Sequence, residues 1–313
     1  MRVWLQSLRS RLSGIFPSAT APEAAPLPLA TRLWKRAPGP LLAMPVLLLL
    51  LAGFLAPLIL VVTYSFMPPH TFSLTQMPTL DNYRNVFSST YYVSLGWSVL
   101  LAALTTLLLL VISWPIAYGL TRSFSKPMVL TLLLVLPLFI SENVRLFGWV
   151  LTLSNHGVLD GTARALFDIE LPMPLYNVPI VLFGMAFIFL PFMLFPMALG
   201  ISMIPESCRE AAYDLGATRF QVLREVEIPL AMPGITIGSL LTFVLALGSI
   251  SEAKLLGGQS VIMIAHEIET AFTYAQNWPL GAALATLLIL LTAGLVIALL
   301  ARLDMERLLG RGR

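Results

Sequence analysis

An all-α membrane protein is the fold class this sequence predicts, and three observations predict it. Of its 313 residues, 58% are hydrophobic and only 11% charged, a balance foreign to soluble domains. Five long runs contain no Asp, Glu, Lys or Arg: those between Arg36 and Asp81, Arg84 and Arg122, Glu170 and Glu206, Glu227 and Glu252, and Glu269 and Arg302. Each can hold the roughly 20 apolar residues that a bilayer-spanning helix needs. The basic residues are, finally, spread unevenly around those runs.

Six transmembrane helices are expected, near 41–66, 93–120, 129–151, 178–203, 230–250 and 280–301. The third, Val129 to Leu151, is apolar except for Glu142 and Arg145. Ahead of the first span, residues 1–40 form a separate segment. Trp4, Leu8, Leu12 and Phe16 recur every four residues with Arg2, Arg9 and Arg11 on other faces, a pattern suited to a helix lying on the inner leaflet. Those arginines interrupt the apolar core that a secretory signal requires. An Ala/Pro-rich stretch, 17–30, reads as a linker. The membrane domain covers 41–301 and a short tail covers 302–313.

Charge sets the expected orientation. With both termini cytoplasmic, the inside segments hold fifteen Lys and Arg, six of them before residue 37, while the outside loops hold Arg84, Arg164 and Lys254. Residues 204–229 then face the cytoplasm. The net charge of +3 follows from this asymmetry and points to no nucleic acid. Cys208, the only cysteine, falls on the same side, so disulfides have no part. Outside segments 67–92, 152–177 and 251–279 are long enough for short helices that could receive a soluble partner. Pro115, Pro137, Pro191 and Pro196 lie within spans, where neighbouring helices re-satisfy the freed carbonyls.

Residues 204–229 are the most informative. Ser207 to Glu210 and Thr218 to Gln221 both fit a capping box, and Gly216 between them suits a left-handed helix terminator. The spacing predicts a helix over 208–215, a glycine turn, and a second helix over 219–227 stopped by Pro229. Ala211 and Ala212 remove bulk, so another surface can approach closely, as when a helix enters a groove.

Glu210-Ala211-Ala212, three residues, Gly216, nine residues, then Val226-Glu227-Ile228-Pro229 resembles the EAA signature of the membrane subunits of ABC importers. The spacing matches throughout, with Val226 and Ile228 as conservative replacements. The resemblance implies that Glu210, Ala211, Ala212, Asp214, Gly216 and Pro229 belong to the segment that couples to an ATPase. Leu80-Asp81-Asn82-Tyr83, Leu136-Pro137-Leu138-Phe139, Val144-Arg145-Leu146-Phe147-Gly148-Trp149, Leu190-Pro191-Phe192, Leu255-Leu256-Gly257-Gly258 and Asn277-Trp278-Pro279-Leu280-Gly281 are similar, in that order, to spermidine/putrescine-type permeases. Ser249 and Ala253 stand where those relatives often carry an acidic residue and a proline, with Glu252 and Lys254 nearby.

The resemblance implies the type I ABC importer permease (MetI-like) fold and a non-catalytic subunit. It implies an ABC ATPase dimer, a second homologous permease and a periplasmic or extracytoplasmic solute-binding protein as partners, in a bacterial inner membrane. ATP and Mg would be bound by the ATPase, leaving this chain without a cofactor. Consistently, no G-x-x-x-x-G-K-[ST] loop occurs, and none of the three lysines, Lys35, Lys126 and Lys254, follows a glycine. His70, His156 and His266 are isolated, which leaves no zinc-spaced set.

Charges inside a span are costly and usually face a cavity or a partner. Glu142 and Arg145, three apart on one helix face, either line the solute path, with Glu142 meeting a cationic group, or pair with each other to fix packing. Trp149 and Glu252 complete the candidate path. Trp97, Trp149 and Trp278 fall near span ends, where aromatic anchoring is the default. The resemblance implies a polyamine or related amine as solute, with another small solute, such as an amino-acid derivative, a phosphonate or iron, as the alternative. Two functions of other classes compete. An autonomous transporter or channel would favour repeated halves and broken midplane helices, and a membrane scaffold would have little use for Glu142 and Arg145.

Overall fold

The computed structural model describes residues 39–122, 135–169 and 174–302. The expected N-terminal helix and linker, Lys126 and the tail beyond Arg302 lie outside the described residues. Two compact units divide the chain, residues 1–58 and 59–313.

In chain order, α1 comprises Gly39–Leu50, the π turn Leu51–Leu55 and Ala56–Tyr64. It is followed by α2 (Asp81–Ser88), α3 (Tyr91–Arg122), α4 (Glu142–Leu153), α5 (Val158–Phe167) and α6 (Val178–Ser202). Next come α7 (Glu206–Asp214) and α8, which is Arg219–Gln221, the π turn Val222–Glu227 and Ile228–Leu247. The last are α9 (Ser251–Leu255), α10 (Ile264–Thr273) and α11 (Trp278–Arg302). Among the described residues there is no strand, and five helices are long and apolar enough to cross a membrane. They are Ala43–Tyr64, Tyr91–Arg122, Val178–Ser202, Arg219–Leu247 and Trp278–Ala298.

The remaining expected span, 129–151, begins outside the described residues, and its described part is not continuous. Leu136–Phe139 is a 3-10 turn with Pro137 at its start, Ile140 is extended, and α4 begins only at Glu142. Pro137 suits the start of the 3-10 turn, where its missing N–H costs nothing; the extended Ile140 that separates the turn from α4 has no local explanation. Glu142 is therefore a first-turn residue, where a carboxylate meets the positive end of the helix dipole, rather than a mid-helix charge.

Pro229 does not stop its helix. α8 runs on to Leu247 because the turn just before Pro229 is a π turn, whose wider ring shifts the carbonyl that the proline ring would strike. Pro57 in α1 also follows a π turn, Leu51–Leu55.

Helix α6 is the centre of the second unit, packed between α3 and α8. Glycines let α6 and α8 touch backbone to backbone. A Cβ at Gly234 would sit 2.3 Å from the Pro196 carbonyl oxygen and 2.9 Å from the Gly200 Cα, and one at Gly238 would sit 2.9 Å from the Met193 carbonyl oxygen. Close approach of this kind drives helix association in lipid, where no hydrophobic force separates one apolar face from another. Leu101, Leu109, Met185, Ile188, Met193 and Leu247 fill the buried seam. Short helices do occupy the expected outside segments: α2, α5, α9 and α10. A smaller core of Val86, Ile264, Leu280 and Leu284 joins three of their neighbours, α2, α10 and α11.

Candidate functional site

Two clusters of charge stand at opposite ends of α6. The first is built on α7 and the start of α8. Helix α7 opens after Pro205 with no side-chain cap, so the Ser207–Glu210 capping box does not form; the helix starts earlier than expected and places Ser207 inside its first turn. Thr218 and Gln221 do form theirs, the Thr218 amide donating to Gln221 Oε1 at 2.8 Å and the Gln221 amide to Thr218 Oγ1 at 3.4 Å. Gly216 has φ +83°, and a Schellman pair closes α7: Gly216 N donates to the Tyr213 carbonyl (2.8 Å) and Ala217 N to the Ala212 carbonyl (3.0 Å).

This geometry turns Glu210, Ala211, Asp214 and Gly216 outward, with Ala212 half-buried and Pro229 exposed on α8. Two apolar side chains that the sequence reasoning passed over share that surface: Leu215 is 89% exposed and Phe220 67%. Their signal was available, since apolar residues beside a glycine turn in a charged segment have no core of their own to enter.

The inner face of α7 is a different matter. Arg209 is its only buried residue, 5% exposed, and is ion-paired with Glu227 of α8, itself 4% exposed. Arg209 Nη1 also lies 3.6 Å from Glu206 Oε2, and its guanidinium stands 5.3 Å above the Tyr118 ring of α3. Arg122, the last residue of α3, pairs with Glu206 and donates to the Ile204 carbonyl at 3.2 Å. A cleft of about 930 Å³ opens beside them, lined by Trp114, Tyr118, Tyr213, Arg219 and Leu223.

The second cluster joins α4, α6 and α9. Trp149 meets Phe183 and Phe187 of α6 edge-on, at ring-centroid distances of 4.8 and 5.4 Å. Glu252 in α9 is wholly buried with its stem against Gly184, where a Cβ would lie 3.6 Å from Glu252 Cγ. Ser249 donates to Glu252 Oε2, while Oε1 has no hydrogen-bond partner. Past the end of α8 and outside the five spans, burial pushes the Glu252 carboxyl up to about 7; the Ser249 hydroxyl pulls it down, the Glu142 charge raises it and Arg145 lowers it. Glu142 and Arg145 are thus near enough to act on Glu252.

The elements that carry the four candidate path residues pack on one another, α9 against α4 and against α6, but Glu142 and Arg145 form no ion pair with each other among the described residues, and Arg145 Nε is buried without a hydrogen-bond partner. Pairing as the sole purpose of these two charges is not what the structure shows. A cleft of about 400 Å³ adjoins them, lined by Asn143, Phe147, Ser251, Lys254 and Glu269, and Lys254 Nζ binds Glu269 Oε2 at 2.5 Å in its wall.

Comparison with known proteins decides what kind of molecule carries these clusters. Residues 123–307 match the family described as binding-protein-dependent transport system inner membrane component. The chain belongs to that family. It is 33% identical over 245 residues to the spermidine/putrescine transport system permease protein PotB of Haemophilus influenzae, covering 77% of this chain and 86% of that one. Among solved structures, a bacterial ABC transporter involved in the import of the acidic polysaccharide alginate aligns with TM-score 0.68 at 21% identity, over 88% of this chain and 98% of its own. A second structure, of a bacterial alginate ABC transporter with an alginate pentasaccharide-bound periplasmic protein, aligns with TM-score 0.66 at 19% identity, over 89% and 96%. At such identities these two establish the fold, and they bear out the importer-permease fold expected from the EAA resemblance. The family member described here is a multi-pass inner-membrane permease subunit of an ABC importer, a non-catalytic component.

Proposed function

We propose that this permease forms half of the path by which a small cationic solute of the polyamine class enters the cell, driven by a separate ATPase. The observation that carries the solute class is the 33% identity to a spermidine/putrescine permease over most of both chains. The chemistry of the second cluster supports it. Glu142 and Glu252 offer two carboxylates, Glu252 with an unused oxygen, and Trp149 offers an aromatic face to an ammonium group. In this proposal Glu142, Trp149 and Glu252 meet the solute, while the Arg145 charge offsets part of the repulsion between the two acids and limits how tightly a cation is retained.

At the other end, Glu210, Ala211, Ala212, Asp214 and Gly216, with Leu215 and Phe220 beside them, form the surface on which an ATPase docks. Exposed charge and exposed apolar side chains on one short helix–turn unit fit a groove in a partner. Pro229 acts from within α8, by fixing the π turn at its foot. ATP and Mg sit in the ATPase dimer, a second permease completes the path, and a binding protein delivers solute to the α5, α9 and α10 side.

The test is uptake of labelled spermidine and putrescine by the complete importer in liposomes, with ATP inside. ATP-dependent uptake that unlabelled polyamines compete away is expected. ATP-driven uptake of some other solute, with none of either polyamine, would sink the solute assignment. Arg145 with an unpartnered Nε, and Lys254 beside the cleft, favour a second reading on that outcome, a solute that also carries a negative group.

A further inference from the structure

Helix α7 has to transmit force, yet it has almost no apolar hold on the rest of the chain. Of its nine residues only Arg209 is buried, and the rest face outward or sit at the rim. A buried guanidinium takes the place that a Leu or Ile would hold in an ordinary amphipathic helix. Its partners are Glu227 at the foot of α8 and the Tyr118 ring of α3, with Glu206 on α7 itself. Arg122 closes the chain by pairing with Glu206 and holding the Ile204 carbonyl at the end of α6. The ends of three spans are thereby tied to one surface helix through directional contacts. An apolar contact lets helices slide. A buried ion pair resists sliding, because displacement leaves each charge uncompensated in a poorly solvating site.

Resting on the importer assignment above, we propose that Arg209 and Glu227 are positioning residues of the coupling stroke: their buried pair clamps α7 to the foot of α8, so that movement imposed on α7 by the ATPase is delivered to the span as one rigid body. Glu227 occupies the variable place in Val226-Glu227-Ile228-Pro229, so the EAA-type pattern does not itself demand the pair. Glu227 is the last residue of the π turn Val222–Glu227, at the point where α8 begins its span. Tyr118 and Arg122 pass part of the same motion to α3.

The experiment uses the complete importer with nitroxide labels on exposed Cys208 in α7 and on Leu241→Cys in the upper half of α8, by electron–electron distance measurement with and without trapped nucleotide. In the parent protein one narrow distance is expected in both states. Glu227→Gln keeps the side-chain volume and an acceptor oxygen but removes the countercharge, and is expected to broaden the distribution and shift it between states. Uptake of labelled spermidine per ATP hydrolysed is expected to fall about tenfold in that variant while ATPase association persists. The charge exchange of Arg209→Glu with Glu227→Arg is expected to restore both readouts where it assembles.

An unchanged narrow distance in Glu227→Gln overturns the proposal. So does a parallel fall in uptake and hydrolysis with their ratio unchanged, which is what a purely structural role would give, or an assembled exchange variant that restores neither readout. Absence of ATP-driven spermidine uptake in the parent protein would count against the solute assignment instead, and the distance measurement would still decide the clamp.

Discussion

The two charged clusters use the same residue types to opposite ends. On the α7 side, Arg122, Glu206, Arg209 and Glu227 form a chain of alternating base and acid, and the burial of Arg209 and Glu227 is matched by mutual neutralisation. On the α9 side, Glu252 is more deeply buried than either but has only Ser249 as hydrogen-bond donor, an idle oxygen, and a second acid nearby. Paired charges fix geometry even with one donor, Arg209 Nε, left over; a buried acid with no bonded countercharge keeps free energy available for a ligand. The clamp therefore suits a part that must move as a unit, and the acidic cluster suits a part that must receive something from solution.

The sharpest way to break this contrast is to strip one charge from each cluster. Glu227→Leu should remove the buried countercharge of Arg209 and leave it only the more exposed Glu206 at 3.6 Å and the Tyr118 ring, at a cost of up to about 3–5 kcal/mol, read as a drop in thermal stability of the detergent-purified protein. Glu252→Gln should do the reverse, raising stability at pH 8 while lowering uptake of a cationic solute by about tenfold. If both variants lose stability alike, the distinction between clamp and receptor fails.

The pH dependence follows from the sign of the Glu252 shift. Its carboxyl is raised from 4.5 to about 7, so the folded state holds that proton more tightly than the unfolded chain does. The stabilising contribution is full below pH 4.5 and is lost as pH rises through about 7. Uptake of a cation by the ionised form should climb over the same range, and Glu252→Gln should flatten both profiles, as measured by melting temperature and transport between pH 6 and 8. Transport that stays pH-independent in the parent protein would remove Glu252 from the path.

Smaller effects separate the outward face of α7 from its inward face. Gly216→Val forces a β-branched residue to φ +83° at a cost of about 1–3 kcal/mol, and copurification of the ATPase should fall with little change in the fold of the spans. Thr218→Ala should cost about 1 kcal/mol through the lost capping box. Ser207→Ala should be silent in stability, because Ser207 caps nothing; a loss equal to that of Thr218→Ala would contradict the cap assignment.

What the sequence determined by itself was set by short-range rules. Charge-free length gave five spans that coincide with helices found, with bounds that agree to within a few residues except for the span expected near 230–250, whose helix begins at Arg219. Glycine's tolerance of positive φ gave the turn at Gly216, and the Thr218–Gln221 spacing gave the working cap. The EAA-like spacing gave the family.

Local rules failed at three places: α8 runs past Pro229 from a π turn, the expected span 129–151 breaks at Ile140 before Glu142, and α7 starts just after Pro205, too early for Ser207 to cap it. Only the tertiary structure decided which charges meet. Arg209 finds Glu227 eighteen residues on, and Glu252 in α9 feels Glu142 and Arg145 of α4, because α7 packs on the foot of α8 and α9 packs on α4 at spacings that only the folded helices set. That spacing is a property of packed backbones, which no one-dimensional pattern of charge contains.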